Sequence, residues 1–494
     1  MSDHATATDL AIVGAGPAGL TCAYEVQKLA PGRSVLVVEA DRIVGGISRT
    51  ENYKGFRFDI GGHRFFTKVG EVEAMWKEVM GDEFIRVPRL SRIYYRGKFY
   101  DYPLKLMNAL GNIGPYEASR IMLSYLKWRV RPSKTEDSFE DWVINRFGGR
   151  LYMHFFRSYT QKVWGIPPRL IQADWAAQRI KNLSLTKAVW NAISGANDTA
   201  SLIEEFDYPR LGPGQMWEKV TESVEAKGGE VRMRTRATKL RREGSRITAL
   251  EIRRPDGEPE TIRAEHYVNS MGLRELVEAI DPPPPPAVVE AARRLRYRDF
   301  LVVTLVLDRA DPFPDNWIYV HSNNVSVGRI QNFRAWSKDM LPNDRQASIG
   351  MEYFCQENDG LWDMDNADLI RKAAAELETL GLAKAEEVVD GTVIRQPKAY
   401  PVYDTEYREA VDTIADWLRT LENLQSVGRN GLHRYNNQDH SMLSAMYAAR
   451  NILGEENDVW NVNVERSYHE EFEIDQDKKA AKKTLKDGKV REPA

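Results

Sequence analysis

The chain has 494 residues, 42% of them apolar, which suits two or three packed domains rather than one core. Its 69 basic and 72 acidic side chains leave a net charge of −3, so no bulk field draws it to nucleic acid and an anionic ligand must be held by a few placed arginines. Two cysteines, Cys22 and Cys355, cannot build a disulfide framework and sit in no metal-ligand spacing, so no metal is expected and a reducing cytoplasm is the natural compartment.

Met1 to Asp9 is polar and acidic, unlike a signal peptide. Leu10 to Val13 predicts a short buried strand, Gly14 to Gly19 a turn, Leu20 to Leu29 a helix and Ser34 to Glu39 a second strand, which is half of a doubly wound nucleotide fold. From about Gly70 the pattern changes to short strands around Arg92 to Tyr102. Long helical stretches rich in Trp and Tyr follow between Tyr116 and Phe206. A strand pair is expected at Glu230 to Arg236 and Ile247 to Arg253, split by the charged turn Arg242 to Ser245, and then a strand from Ala264 to Ser270. Pro282 to Pro286 lacks donors for helix or sheet and reads as a loop. Asp299 to Leu307 and Ser348 to Tyr353 alternate like strands of a second sheet, and helical patterns return at Ala367 to Leu380 and His440 to Leu453. Asp475 to Ala494 is dominated by Lys, Asp and Glu and reads as a solvated tail. No internal repeat is present, and no run approaches the ~20 apolar residues of a membrane span.

Gly14-Ala15-Gly16-Pro17-Ala18-Gly19 lies between predicted strand and helix. There the first glycine permits a tight turn, the second a close approach of backbone to a pyrophosphate, and the third close packing of helix on strand. The helix N-terminus favours the phosphate charge, and Glu39 ends the next strand where it can accept from an adenosine ribose. This motif alone leaves NAD and FAD open. Val44-Gly45-Gly46-Ile47-Ser48-Arg49-Thr50 adds a second glycine pair that resembles the extended FAD fingerprint of amine oxidase and glutathione reductase types, with Arg49 reaching the cofactor phosphates. Asp59-Ile60-Gly61-Gly62-His63 is similar to the loop that passes the flavin ring in that superfamily. Val427-Gly428-Arg429-Asn430, followed by Asn437-Gln438-Asp439 and a helix, is similar to its closing motif, where a helix N-terminus stabilises negative charge on a reduced flavin.

Further segments resemble, in order from about residue 8 to residue 453, the UDP-galactopyranose mutase family within that superfamily. Gly62-His63-Arg64-Phe65-Phe66-Thr67 is similar to the family's flavin loop, with Phe66 where the family has a second histidine. Tyr159-Thr160-Gln161-Lys162-Val163-Trp164-Gly165 is similar to its Y-T-x-K-x-W-G segment. Arg179 stands one residue beyond the spacing of its first diphosphate arginine, and Gly328-Arg329-Ile330 resembles the strand of the second. Tyr400-Pro401-Val402 and Arg434-Tyr435 match its Y-P-V turn and R-Y pair.

The resemblance implies a chemistry in which N5 of reduced FAD attacks the anomeric carbon of an NDP-sugar, and the sugar recloses with another ring size. It implies that Arg179 and Arg329 hold the departing diphosphate with Tyr400 and Tyr435, that Tyr159 and Trp164 line the base pocket, and that His63 orients flavin or sugar. Plainer roles fit composition as well: core aromatics for Tyr159 and Trp164, surface ion pairs for the arginines, a turn residue for His63. The competing activity is an FAD oxidoreductase of the protoporphyrinogen oxidase or amine oxidase type, with an apolar substrate tunnel in place of convergent arginines.

The expected architecture is α/β: a Rossmann-type FAD-binding domain with an inserted helical domain and an antiparallel-sheet substrate domain. The FAD-binding parts are expected at 1–90, 216–280 and 411–460, the helical insert at 91–215, the second sheet at 281–410 and the charged tail at 461–494. The expected cofactor-binding set is Gly14, Gly16, Gly19, Glu39, Gly45, Gly46, Arg49, Gly62, His63, Arg429 and Asp439. A nucleotide sugar is the expected small-molecule partner. A homo-oligomer is compatible with the sequence, and the electron donor is left open, since no second Rossmann motif for NAD(P)H is present.

Overall fold

The computed structural model describes residues 5–102, 106–173, 201–202, 205–462 and 471–472. Arg179, the second half of the helical stretch and the charged tail fall outside them.

Leu10 to Val13 and Val35–Val38 are apolar on both faces because helices cover both sides, so they sit as neighbouring parallel strands inside an eight-stranded sheet. The first strand, Ala5–Val13, is longer than its apolar run. Ala5 to Thr8 are small residues, alanine alternating with threonine, and carry no core signal, yet the parallel ladder to Thr261 to Ala264 holds them. Helix Pro17–Leu29 begins earlier than its apolar periodicity, because Pro17 at the first position has the right φ and loses no needed donor. It packs against the last long helix, Gln438–Ile452.

The expected strand pair after residue 230 is corrected. Glu230–Arg232 is a separate strand, parallel to Val35–Val38, and Arg234 adopts a left-handed φ of 52° that ends it. The hairpin is Arg236–Glu243 with Arg246–Arg253, closed through Gly244 and Ser245. Pro259–Asn269 then returns to pair with the first strand, and Leu424–Ser426 joins its other side. The proline run is corrected at its last residue, since Pro286 opens helix Pro286–Arg294.

The second sheet has seven strands in the order Val388–Pro401, Tyr297–Leu307, Ala347–Cys355, Arg329–Asn332, Trp317–Val320, Ser91–Tyr95 and Lys98–Asp101. Only the pairing of Ser91–Tyr95 with Trp317–Val320 is parallel. Helices Pro115–Val130, Phe139–Phe147 and Arg157–Trp164 share a core with its face through Ile121, Phe139, Trp164, Phe300 and Tyr400. The α/β class and the second, largely antiparallel sheet agree with the expectation.

Candidate active site

A cavity of about 640 Å³ opens beyond the carboxyl ends of the parallel strands, where Gly16, Glu39, Ser270 and Gly428 follow successive strands, and runs to the face of the second sheet. This is where open α/β sheets bind ligands.

At one end the wall is made of turns. Gly14 has φ +102° and donates its N–H to the Val38 carbonyl at 2.8 Å, closing the turn. A Cβ on Gly19 would lie 1.9 Å from the Gly14 carbonyl oxygen, so only glycine lets the helix seat on the strand. Gly16 differs: a Cβ there meets nothing nearer than Gly46 Cα at 3.8 Å and would instead project into the cavity it lines. Gly45 donates to the Ala15 carbonyl at 2.8 Å, which ties the second glycine pair to the first turn. The Glu39 carboxylate accepts from the Ala15 and Asp41 N–H groups at 2.7 and 2.8 Å, and these contacts fix its head at the cavity edge. Arg49 is buried, donating to Glu51 at 2.8 Å, to the Gly46 carbonyl at 2.9 Å and to Gln396 at 2.8 Å.

The middle of the cavity belongs to the loop 59–67 and the closing segment. His63 Nδ1 lies 2.9 Å from the Gly61 carbonyl oxygen. Burial, then the charge of Arg429, pushes its pKa down to about 3. The ring is therefore neutral at neutral pH, with Nδ1–H donating and Nε2 left as an acceptor. Gly62 lines the same stretch of wall. Arg429 donates from Nε to the Asn436 carbonyl at 2.8 Å and from Nη1 to the Ala399 carbonyl at 3.2 Å, and lies over the Tyr435 ring at 4.9 Å. Asp439 is buried in the first turn of Gln438–Ile452, where its carboxylate accepts the His440 N–H at 2.9 Å.

A dinucleotide with a flavin ring fits this end. Gly16 leaves a cradle that any side chain would fill, and the Asn436 side-chain amide, 1% exposed on the cavity wall, has no hydrogen-bond partner for either polar atom among the described residues. A ligand in the cavity would satisfy it.

At the far end side chains build the wall. Tyr400 and Tyr435 stack with centroids 5.4 Å apart, and Trp164, 3% exposed, packs on both at 6.5 and 6.0 Å. Tyr159 stacks on His321 at 4.3 Å and meets Tyr319 edge-on. Arg329 donates from Nη2 to the Tyr400 hydroxyl at 2.8 Å, and its Nε is 2.5 Å from Glu352, a fully buried carboxylate that also accepts from Gln331. Burial pushes the Tyr400 phenol up to about 12 against the pull of Arg329.

Nearly all expected residues therefore gather around one cavity, with Gly14, Gly19 and Gly45 shaping the turns behind it. Arg179 is outside the described residues. Sequence reading missed three side chains. Glu352 is the lone charge in the apolar strand Ala347–Cys355, an anomaly that could have marked it. Lys162 was quoted only as part of a motif; it donates to the carbonyls of Val320, Ser322, Val325 and Val327 at 2.8 to 3.2 Å and so pins the loop carrying His321. His321 itself carried no sequence signal.

Residues 17–460 match the family described as flavin containing amine oxidoreductase. Among solved structures, the chain is similar to a reduced UDP-galactopyranose mutase at 20% identity, over 92% of this chain and 96% of that one, with a TM-score of 0.80. A protein of Exiguobacterium sp. 255-15, provisionally named a protoporphyrinogen oxidase, is similar at 16% identity over 91% and 99% of the two chains, TM-score 0.69. Wild-type putrescine oxidase bound to putrescine is similar at 17% identity over 91% and 100%, TM-score 0.60. A stretch of 95 residues is 33% identical to an uncharacterized protein from the nifH2 3′ region of Methanothermococcus thermolithotrophicus, covering 17% of this chain and 89% of that one. At such identities the solved structures speak to fold, and the fold agrees with the cradle: FAD is the cofactor. The chain belongs to the flavin-containing amine oxidoreductase family.

Proposed function

We propose that this enzyme is a flavin-dependent mutase that interconverts the pyranose and furanose rings of an NDP-hexose. The observation that carries the reading is Arg329, a charged side chain at the aromatic end of the cavity wall, hydrogen-bonded to Tyr400 of the stacked pair Tyr400 and Tyr435. Reduced FAD, when bound, supplies the nucleophile for the anomeric carbon.

The protein's task is the diphosphate. Its charge grows as the bond to the sugar breaks and falls when that bond re-forms, so donors fixed beforehand favour both directions. Arg329 suits this because Glu352 and Tyr400 occupy one edge of its guanidinium and hold the rest in place, leaving Nη1 for a ligand. Arg179 is assigned the same task. Tyr159 and Trp164 offer flat faces to a nucleobase, and the neutral His63 offers Nε2 to a hydroxyl or to the cofactor without acting as an acid.

One observation favours the second reading, an FAD-dependent oxidoreductase of protoporphyrinogen oxidase or amine oxidase type. The buried Glu352 carboxylate cancels much of the Arg329 charge that a diphosphate would use.

The test is anaerobic incubation of dithionite-reduced protein with UDP-, GDP- and dTDP-hexopyranoses, resolved by anion-exchange chromatography. An isomeric product of unchanged mass that requires reduction supports the mutase. No such product, with oxygen uptake on amines or porphyrinogens, selects the oxidoreductase. For the mutase, Arg329→Ala lowers turnover by roughly 10²- to 10³-fold with FAD still bound, the loss typical of one transition-state donor.

A further inference from the structure

Helix Pro115–Val130 is apolar on two faces, and folding accounts for only one. Its inner face buries Ile121 and Tyr125 in the same core as Phe139 and Phe155, which line the cavity. Its outer face carries Tyr116, Leu123, Leu126 and Val130, with 74, 66, 55 and 79% of their surface exposed. At 100° per residue these four fall within an arc of roughly 80° that also holds Ser119, so Leu123, Leu126 and Val130 form a contiguous apolar stripe with Tyr116 two turns before it. They are four of the nine large apolar side chains that stand exposed among the described residues. Soluble chains scatter exposed apolar residues singly, and a contiguous stripe marks a contact.

The border of the stripe is basic. Lys127 and Arg131 run along one side and Arg129 along the other, all exposed, and none of the three makes an ion pair among the described residues. The one acid on the helix, Glu117, is turned to Arg150 and His154 of the neighbouring segment, with Arg120 at 3.4 Å. An apolar stripe with unneutralised cations on both borders and a tyrosine at its start complements an anionic lipid surface: the side chains enter the acyl boundary while the cations meet phosphate headgroups. A protein partner fits less well. The face is 16 residues long, about 24 Å by 10 Å, on the order of 240 Å², well under the roughly 800 Å² per partner of a stable interface. Among the described residues no helix is long and apolar enough to cross a membrane, so contact by this face is contact with the surface only.

We propose that the outer face of Pro115–Val130 docks the enzyme on anionic membranes, lying in the interface with Tyr116, Leu123, Leu126 and Val130 inserted. Through the shared core, docking brings the aromatic end of the cavity to the membrane side of the molecule. The proposal does not depend on which flavin reaction the site performs.

The test is co-sedimentation of the FAD-loaded full chain with vesicles of phosphatidylcholine alone and of phosphatidylcholine with 30% phosphatidylglycerol. The expected result is pelleting with the anionic vesicles, at least about fivefold less with the neutral ones, and weakening by 0.5 M salt. Leu123→Glu with Val130→Glu, and separately Lys127→Gln with Arg131→Gln, each lower the bound fraction at least about fivefold while the flavin absorbance shows an intact cofactor site. The charge pair is exposed and keeps the test open should the glutamate pair fail to fold. Absence of binding to either vesicle, or equal binding by wild type and both variants, overturns the proposal. So does a dimer in light scattering that Leu123→Glu dissociates, which would assign the stripe to a second copy of the chain.

Discussion

At the nucleotide end of the cavity the working surface is backbone: the turn at Gly14, the open cradle at Gly16 and the Gly45 N–H tied to the Ala15 carbonyl all come from residues 14–46. At the far end it is side chains from segments that meet only in the fold: Tyr159, His321, Arg329, Glu352, Tyr400 and Tyr435. Backbone recognition depends on excluded volume and φ, and a substitution there either fits or does not. Side-chain recognition depends on paired charges and stacked rings, which can be removed by degrees. The two ends should therefore fail differently.

The largest effect is expected at Gly19. Its alanine Cβ would sit 1.9 Å from a backbone oxygen that has no room to move, so Gly19→Ala should cost about 3 kcal/mol or more, the upper range of overpacking, and FAD should be lost with the turn. The denaturant midpoint and the ratio of flavin to protein absorbance check both parts. At the far end, Glu352→Ala strands Arg329 and Gln331. Removing one partner of a buried pair costs about 3 kcal/mol, less here because the Arg329 side chain keeps 19% exposure to the cavity. The double variant Arg329→Ala with Glu352→Ala should be more stable than Glu352→Ala alone. If it is less stable, the pair is not the coupling unit it is taken to be.

What was legible in the sequence follows the same division. The strand, turn and helix at residues 10–29 are local, and each glycine has a reason within a few positions, so the cofactor end could be read directly. The error after residue 230 came from Arg234, whose left-handed φ splits an apparent strand and which nothing in its side chain announces. The partners at the far end lie far apart in sequence. Lys162 reaches carbonyls 158 to 165 positions away, and neither that reach nor the pairing of Arg329 with Glu352 has any local pattern. Resemblance to a family supplied Arg329, Tyr400 and Tyr435. It supplied neither Glu352, whose carboxylate offsets the Arg329 charge, nor His321, on which Tyr159 stacks.

A smaller effect is expected from pH, through buried groups whose protonation differs between the native and unfolded chain. Burial pushes His433 down to about 3, and His321 likewise, with the positive charge of Lys162 as its second cause. An unfolded histidine titrates near 6.5, so between about pH 6.5 and 3 the unfolded chain binds a proton that the native chain refuses. Stability contributed by each neutral histidine is then present above pH 6.5 and falls by about 1.4 kcal/mol per unit as the pH drops. Asp59 runs the other way. Burial lifts it to about 7, so the native state holds its proton where the unfolded carboxyl, near 3.9, has lost one, and its contribution fades as the pH rises. The slope for one group is read as a difference: the thermal midpoint of His433→Gln should fall less steeply than wild type from pH 6.5 to 5. Equal slopes would mean that His433 is protonated in the fold.

The smallest change in stability is expected at Gly16, and it isolates the backbone cradle from the fold that supports it. Gly16 has φ −84° and ψ −175°, a conformation any residue adopts, and a Cβ there touches no protein atom closer than 3.8 Å. In the FAD-free chain Gly16→Ala should therefore be neutral or raise stability by up to about 1 kcal/mol, since alanine has less freedom to lose on folding. The same methyl group would occupy the space through which the pyrophosphate approaches the turn, so FAD affinity should fall at least tenfold. Gly19→Ala and Gly16→Ala are thus one substitution at two positions three residues apart, the first breaking the turn with or without cofactor and the second only when cofactor binds. Thermal midpoints with and without added FAD distinguish them: the midpoint rise that FAD produces should survive in wild type and shrink in Gly16→Ala, whose FAD-free midpoint equals or exceeds that of wild type. An undiminished rise in Gly16→Ala would place the pyrophosphate away from Gly16, and with it the whole orientation of the flavin toward Arg329 and Tyr400.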